Sequence, residues 1–285
     1  MKIAILGTEN THAYEFAKLI KNNDYYKDVE LVGVYSYDEK ANDNIINEGL
    51  CDCVAKDPHE MLDKVDAVMV TARHGDLHHE YVLPYLKAGI PCFIDKPLSV
   101  ELSKAQDIID VAKANGTLIC GGSCIKHLDE LKPLRRFFLE NKIKSGAVSA
   151  PVDVSNEYGG FFFYSQHLVE LLTTVFGFGV RSVIARTGSI DERKVSVIFN
   201  YGDFDVAGMY SGSINYNVTL AADGGKGAQF NCNNDVVYTY EYELREFIDM
   251  VNSGVMPHTY DELIYPVKLL HAIYKSYTEK KEIEL

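Results

Sequence analysis

The sequence predicts an α/β protein: a doubly wound parallel sheet of the Rossmann type comes first, then an α+β domain with a largely antiparallel open sheet. Two observations carry this. Over the first 121 residues, short runs nearly continuous in apolar residues alternate with helical patterns, as expected of strands buried on both faces by helices. From about residue 122 the grammar changes, and β-rich runs follow one another with turn signals between them. The expected domains are 1–121 and 122–285, and a chain of 285 residues suffices for two cores of ordinary size.

In order, KIAILG (2–7) reads as a strand and AYEFAKLIKNN as a helix with Ala13, Phe16, Ala17 and Ile20 on one face. VELVGVYS (29–36) is the second strand, followed by a polar helix around DEKANDNIINEG. CDCV reads as a short strand and DPHEMLDKV as a short helix opened by Asp57-Pro58. DAVMVTA is a strand, and HHEYVLPYLKAG a helix stopped at Gly89. IPCFIDKP is a strand, LSKAQDIIDVAKANG a helix ending at Gly116, and TLICGG the last strand of this region.

Beyond it, LDELKPLRRFFLENK is a helix that tolerates Pro133 in its first turn. A strand near AVSAPVDVS precedes a helix through SQHLVELLTTVFG, closed by Gly177. Six β-rich runs follow: RSVIARTG, RKVSVIFNYG, FDVAGMYSG, YNVTLAAD, GAQFNC and DVVYTY. Two helices, EYELREFIDMVNSG and ELIYPVKLLHAIYKSYTE, end the chain.

A net charge of -13 argues against a nucleic-acid surface, which needs clustered Lys and Arg. No apolar run approaches the length of a membrane span, and no leader pattern opens the chain. Six scattered cysteines do not make a disulfide scaffold, so the expected compartment is the cytoplasm, with no membrane partner. His74, His78 and His79, with Cys51 and Cys53, lack the paired ligand sets of structural zinc, and no metal is expected.

The turn after the first strand is GTENTHA. Gly7 ends a buried strand where a helix N-terminus offers N–H groups and partial positive charge to a pyrophosphate. Asn10 and His12 stand where further glycines of G-x-G-x-x-G are expected; Asn10 is suited to a left-handed turn, and Ala13 to close packing. The second strand ends on Ser36 and Tyr37, with Asp38 beyond, leaving NAD and NADP both open. In IDKPLS, Lys96 lies at the carboxyl end of a parallel strand, where open α/β sheets bind ligands, and Pro97 restricts its backbone.

These features, the block VTARHGDLHHEYVLPYLKAGIPCFIDKPLS and the later HLVELL together resemble the Gfo/Idh/MocA oxidoreductases, the glucose–fructose oxidoreductase and inositol dehydrogenase family. The family's Glu-Lys-Pro stands here as Asp95-Lys96-Pro97, after Ala88-Gly89, and the likeness runs on through FIDMVNSGVMPHTYDELIYPVKLLHAIYKSY. It implies a Rossmann domain holding NAD or NADP against Gly7, Thr8, Asn10, Thr11, His12, Ser36 and Tyr37. It also implies a nicotinamide loop of Thr71, Ala72, Arg73, His74 and His78, continued by Asp95 and Lys96. Lys96 and His167 correspond to the catalytic pair, and Lys126 and Tyr164 join them as substrate-facing residues. The implied reaction is hydride transfer to or from a sugar or polyol, by an oligomer joined through the second sheet. One departure stands out: the family's aspartate, one helical turn before the histidine, is Phe163 here. That departure admits a second reading, a nucleotide- or sugar-binding regulatory protein without turnover.

Overall fold

The computed structural model describes residues 1–186, 194–212, 214–232 and 236–285. The chain divides into two compact units, Met1–Gly122 with Tyr240–Ile264, and Ser123–Thr239 with Tyr265–Leu285. The first unit therefore takes up a segment from far beyond residue 122.

The first unit runs β1 (Lys2–Leu6), α1 (Thr11–Asn22), β2 (Glu30–Tyr35), α2 (Asp43–Asn47), β3 (Ala67–Val70), α3 (Gly75–Lys87), β4 (Cys92–Asp95), α4 (Leu102–Asn115) and β5 (Ile119–Gly122). Its strands lie in the order β2-β1-β3-β4-β5, and every pair is parallel. β3 and β4 are buried along their whole length, which is why their sequences show no alternation. In α1 the predicted face of Ala13, Phe16, Ala17 and Ile20 is the buried one. Gly89 and Gly116 take positive φ after α3 and α4, as the stop signals predicted.

The second unit contains α5 (Leu131–Glu140), β6 (Ile143–Pro151), α6 (Phe161–Phe176), β7 (Ser182–Arg186), β8 (Lys194–Asn200), β9 (Asp205–Ser211), β10 (Tyr216–Ala222) and β11 (Gly227–Cys232). α7 (Thr239–Ser253), α8 (Tyr260–Glu279) and β12 (Ile283–Glu284) follow. The seven-stranded sheet has the order β11-β10-β6-β9-β8-β7-β12, and only the β6–β9 pair is parallel. α6 lies on one face so closely that a Cβ on Gly146 would sit 2.4 Å from the Phe176 ring. On β8 and β9, Val195, Val197, Phe199, Val206 and Tyr210 are buried, whereas Ile198 and Met209 face outward. In the first unit, Leu244, Phe247 and Met250 of α7 complete a core with Ile3, Ile5, Phe16, Tyr26 and Phe93.

Three expectations fail locally. CDCV is not a strand; only Val54 forms an isolated bridge, to Val34. DPHEMLDKV forms successive turns instead of a helix, because Asp57 accepts from the His59 N–H and Glu60 from the Lys56 N–H. In DVVYTY, Val236–Tyr238 turn into α7, with the Thr239 N–H donating to the Val236 carbonyl at 2.9 Å; Asp235 lies outside the described residues. The ends of RSVIARTG and RKVSVIFNYG that reach into 187–193 also lie outside them.

Candidate functional site

In the first unit the site residues gather at the carboxyl ends of β1 to β4. Gly7 takes φ +102°, and a Cβ there would lie 2.2 Å from the Ala72 nitrogen, so only glycine lets β1 pass β3 this closely. The Gly7 and Thr8 N–H groups both donate to the Tyr35 carbonyl, tying the turn to the end of β2. Thr8 donates to Asn42 at 2.8 Å, and Thr71 donates to the Gly7 carbonyl at 3.0 Å.

Asn10 does not make the left-handed turn expected of it. It is extended (φ −101°, ψ 144°) and caps α1, its side chain accepting from the His12 N–H, so Gly7 alone supplies the positive φ between β1 and α1. Thr11 is exposed in the first turn of α1. His12 takes the place of a small glycine and is buried, its Nδ1 3.1 Å from an Asp95 oxygen and its Nε2 3.5 Å from one of Glu243.

Asp95 is wholly buried at the end of β4. It accepts from Asn10 Nδ2 at 2.7 Å and from the Lys96 N–H at 2.7 Å. Burial alone would raise its pKa, but His12, Lys96 and His78 outweigh that and hold the carboxyl far below the usual range. Lys96 is 5% exposed, and its peptide bond to Pro97 is cis.

The loop after β3 is built around His78. Its ring is fully buried, with Nδ1 2.7 Å from the Pro97 carbonyl and Nε2 2.7 Å from the Ala72 carbonyl. Burial lowers its pKa, while Asp95 and the two carbonyls oppose that. His78 thereby pins the segment after β3 to the Lys96-Pro97 segment. His74 caps α3, its Nδ1 accepting from the Asp76 N–H.

Sequence reasoning missed Glu9. Counted from Gly7, the second glycine of G-x-G-x-x-G falls on Glu9 and not on Asn10. Its carboxylate accepts from the Ser36 hydroxyl at 2.7 Å and from the Arg73 N–H at 3.1 Å, bridging the residues that follow β2 and β3. Tyr37 is 55% exposed.

These residues fit a dinucleotide. The bare backbone at Gly7 permits close approach, and the helix N-terminus of α1 stands behind it. Gly7, Thr8, Glu9, Ser36, Thr71 and Ala72 would hold NAD.

In the second unit His167 lies on the buried face of α6. Its Nδ1 is 2.6 Å from the hydroxyl of Ser123, which caps the short 3-10 helix Cys124–His127. The Ser123 N–H donates to Glu170 at 3.3 Å, and Gln166 donates to the same oxygen at 2.9 Å. Tyr164 sets its ring 4.7 Å from the His167 ring, edge on. Burial raises its phenol pKa, Cys124 adds to this, and a hydrogen bond with Tyr216 opposes it. Phe163 packs beside Tyr158 and Tyr164, at 5.4 and 5.7 Å between centroids. Lys126 is half-buried on the 3-10 helix. Ser123 is the second residue missed. A serine 44 positions away gives no local signal of a partner for His167.

Thus Lys96 is grouped with the Gly7 turn, Asp95 and His78 in the first unit, and His167 with Tyr164 and Lys126 in the second.

Residues 1–122 match the family model GFO_IDH_MocA, described as "Oxidoreductase family, NAD-binding Rossmann fold". The chain is 40% identical over 62 residues to the inositol 2-dehydrogenase of Paracoccus denitrificans; this is 21% of the chain and spans only 18% of that relative's length. It is 25% identical over 279 residues to the myo-inositol 2-dehydrogenase of Thermotoga maritima, covering 81% of the chain and 83% of the relative. Among solved structures, GenD2 from gentamicin A biosynthesis, in complex with NAD, superposes with a TM-score of 0.86 at 17% identity, over 100% of this chain and 96% of the other. That likeness shows a shared fold. Residues 1–122 thus match the NAD-binding domain of the Gfo/Idh/MocA oxidoreductases, and the Gly7 turn and the Asp95-Lys96-Pro97 step both lie within that match.

Proposed function

We propose that the protein is an NAD(P)-dependent dehydrogenase acting on a CH–OH group of a sugar or polyol. The observation that carries this is the joint placement, in the first unit, of the Gly7 turn and the buried Lys96 at the carboxyl ends of β1 and β4. That edge is where open parallel sheets bind nucleotides. The inositol dehydrogenases among its relatives support a polyol as substrate.

The bound nicotinamide supplies the hydride acceptor or donor. Lys96 donates to the substrate hydroxyl oxygen and favours its deprotonation. His167, with Nδ1 engaged by Ser123, takes the hydroxyl proton at Nε2 as general base. Tyr164 and Lys126 orient the remaining hydroxyls.

Three attributes accompany this reading. The protein assembles as a homo-oligomer through the outer face of the seven-stranded sheet. There the register sets Ile184, Ile198, Ala207, Ala147 and Thr219 side by side in one cross-strand row. It works in the cytoplasm, as six cysteines outside any disulfide scaffold, Cys51, Cys53, Cys92, Cys120, Cys124 and Cys232, suit a reducing compartment. Its ligands are small molecules, not nucleic acid or membrane; among the described residues no helix is long and apolar enough to cross a membrane.

The test is thermal unfolding with each of NAD, NADH, NADP and NADPH, then nicotinamide absorbance with a panel of inositols and sugars. A nucleotide at about 100 times its Kd adds about 2.7 kcal/mol, a readily measured rise in Tm. Turnover that Lys96→Ala and His167→Ala each abolish is the expected result; absence of any shift, in protein free of retained nucleotide, sinks the reading. Phe163 favours one alternative, a regulatory protein that binds nucleotide without turnover, and a shift with no absorbance change on any substrate would select it.

A further inference from the structure

We propose that Glu9, a residue of the β1–α1 turn, is the group that selects NAD over NADP. This rests on the dehydrogenase reading. In dinucleotide-binding sheets an acidic residue at the end of the second strand receives the ribose hydroxyls, and its charge turns away a 2′-phosphate. Here the residue after that strand is Ser36, which is neutral. The next acid, Asp38, lies two residues further on and caps the 3-10 helix Glu39–Asn42, its Oδ1 accepting from the Lys40 N–H at 3.1 Å. By its residue types alone, the strand end is open to either cofactor.

The turn supplies the missing charge. Glu9 Oε2 accepts from Ser36 Oγ at 2.7 Å, so a carboxylate sits against the very residue at which a ribose-binding acid is expected. Ser36 is itself held, its Oγ accepting from the Asp38 N–H at 3.1 Å. The second carboxylate oxygen accepts from the Arg73 N–H at 3.1 Å, which fixes the side chain between the segments that follow β2 and β3. A carboxylate oxygen has lone pairs beyond these bonds and can accept from both hydroxyls of a ribose. A 2′-phosphate in the same place brings like charges together in a partly buried setting. An acid at the second-glycine position thus does from the first turn what is usually done from the second strand.

The experiment is calorimetric titration of wild type, Glu9→Gln and Glu9→Gly with NAD and with NADP. Gln keeps the shape and an acceptor for Ser36 or Arg73 while removing the charge, and Gly clears the side chain. The readout is the ratio of the two Kd values within each variant, which a partial loss of folded protein does not move. Wild type is expected to favour NAD by about 100-fold, and both variants to lower that ratio at least about tenfold through tighter NADP binding. A ratio unchanged in both variants overturns the assignment while leaving the dehydrogenase reading intact, as does a wild type that favours NADP through the Arg73 side chain. Failure of wild type to bind either nucleotide removes both.

Discussion

Asp95 has no exposure to solvent, yet the groups around it keep it charged. Asn10 and the Lys96 N–H donate to it, and His12 lies 3.1 Å away. Removing one partner of a buried charged set strands the others, so Asp95→Asn should cost about 3 kcal/mol in urea unfolding at neutral pH. Its pH dependence has a definite sign. The folded carboxyl titrates far below the unfolded one, so its contribution is complete above about pH 4 and fades as pH falls toward the folded value. Wild-type stability should therefore decline in acid along a slope that Asp95→Asn lacks, which a series of urea midpoints across pH will show. Equal slopes would mean that the carboxyl carries no such linkage. Of this network, the sequence displayed Asp95 and Lys96 because they are adjacent in one motif. It hid Glu9 because an acid there replaces the second fingerprint glycine, and hid Glu243 because a partner from α7 has no local mark near His12.

At the scale of elements, one hydrogen bond sets the orientation of the α6 histidine from outside its helix. Ser123 caps Cys124–His127 with the same oxygen that meets His167 Nδ1, accepting there from the Ile125 N–H at 3.3 Å. Ser123→Ala should therefore loosen both the cap and the ring. A bond worth about 1.4 kcal/mol corresponds to about a tenfold fall in kcat. KM should hold, and the pH profile of kcat should shift because the imidazole loses a partner; a profile identical to wild type would show Ser123 to be structural only. Elements were most legible where packing repeats the sequence period, as in α1 and the buried strands β3 and β4. They were least legible where side chains satisfy the backbone locally. Asp57, Glu60 and Thr239 make turns of short stretches, and composition alone does not tell such turns from a helix or a strand.

For the molecule as a whole, the two faces of the seven-stranded sheet make different demands on solvent. The inner face carries Phe199, Tyr210 and Val218 under α6 and is closed. The outer face leaves Ile198 41% and Met209 46% exposed on neighbouring strands, among the small residues Ala147, Ala207 and Ser196. Apolar surface of this kind, with small uncharged residues at its centre, suits a second identical sheet, and a two-fold pairing would bury both copies of the row at once. Ile198→Glu with Met209→Glu places one carboxylate in that row and one in the row beside it, two per copy, while leaving the inner face untouched. Sedimentation velocity should show wild type as an oligomer and the double variant as a monomer, with the first unit still binding nucleotide in calorimetry. If the variant sediments as wild type does, the assembly lies elsewhere. If wild type is already a monomer at micromolar concentration, the outer face needs a partner other than this chain.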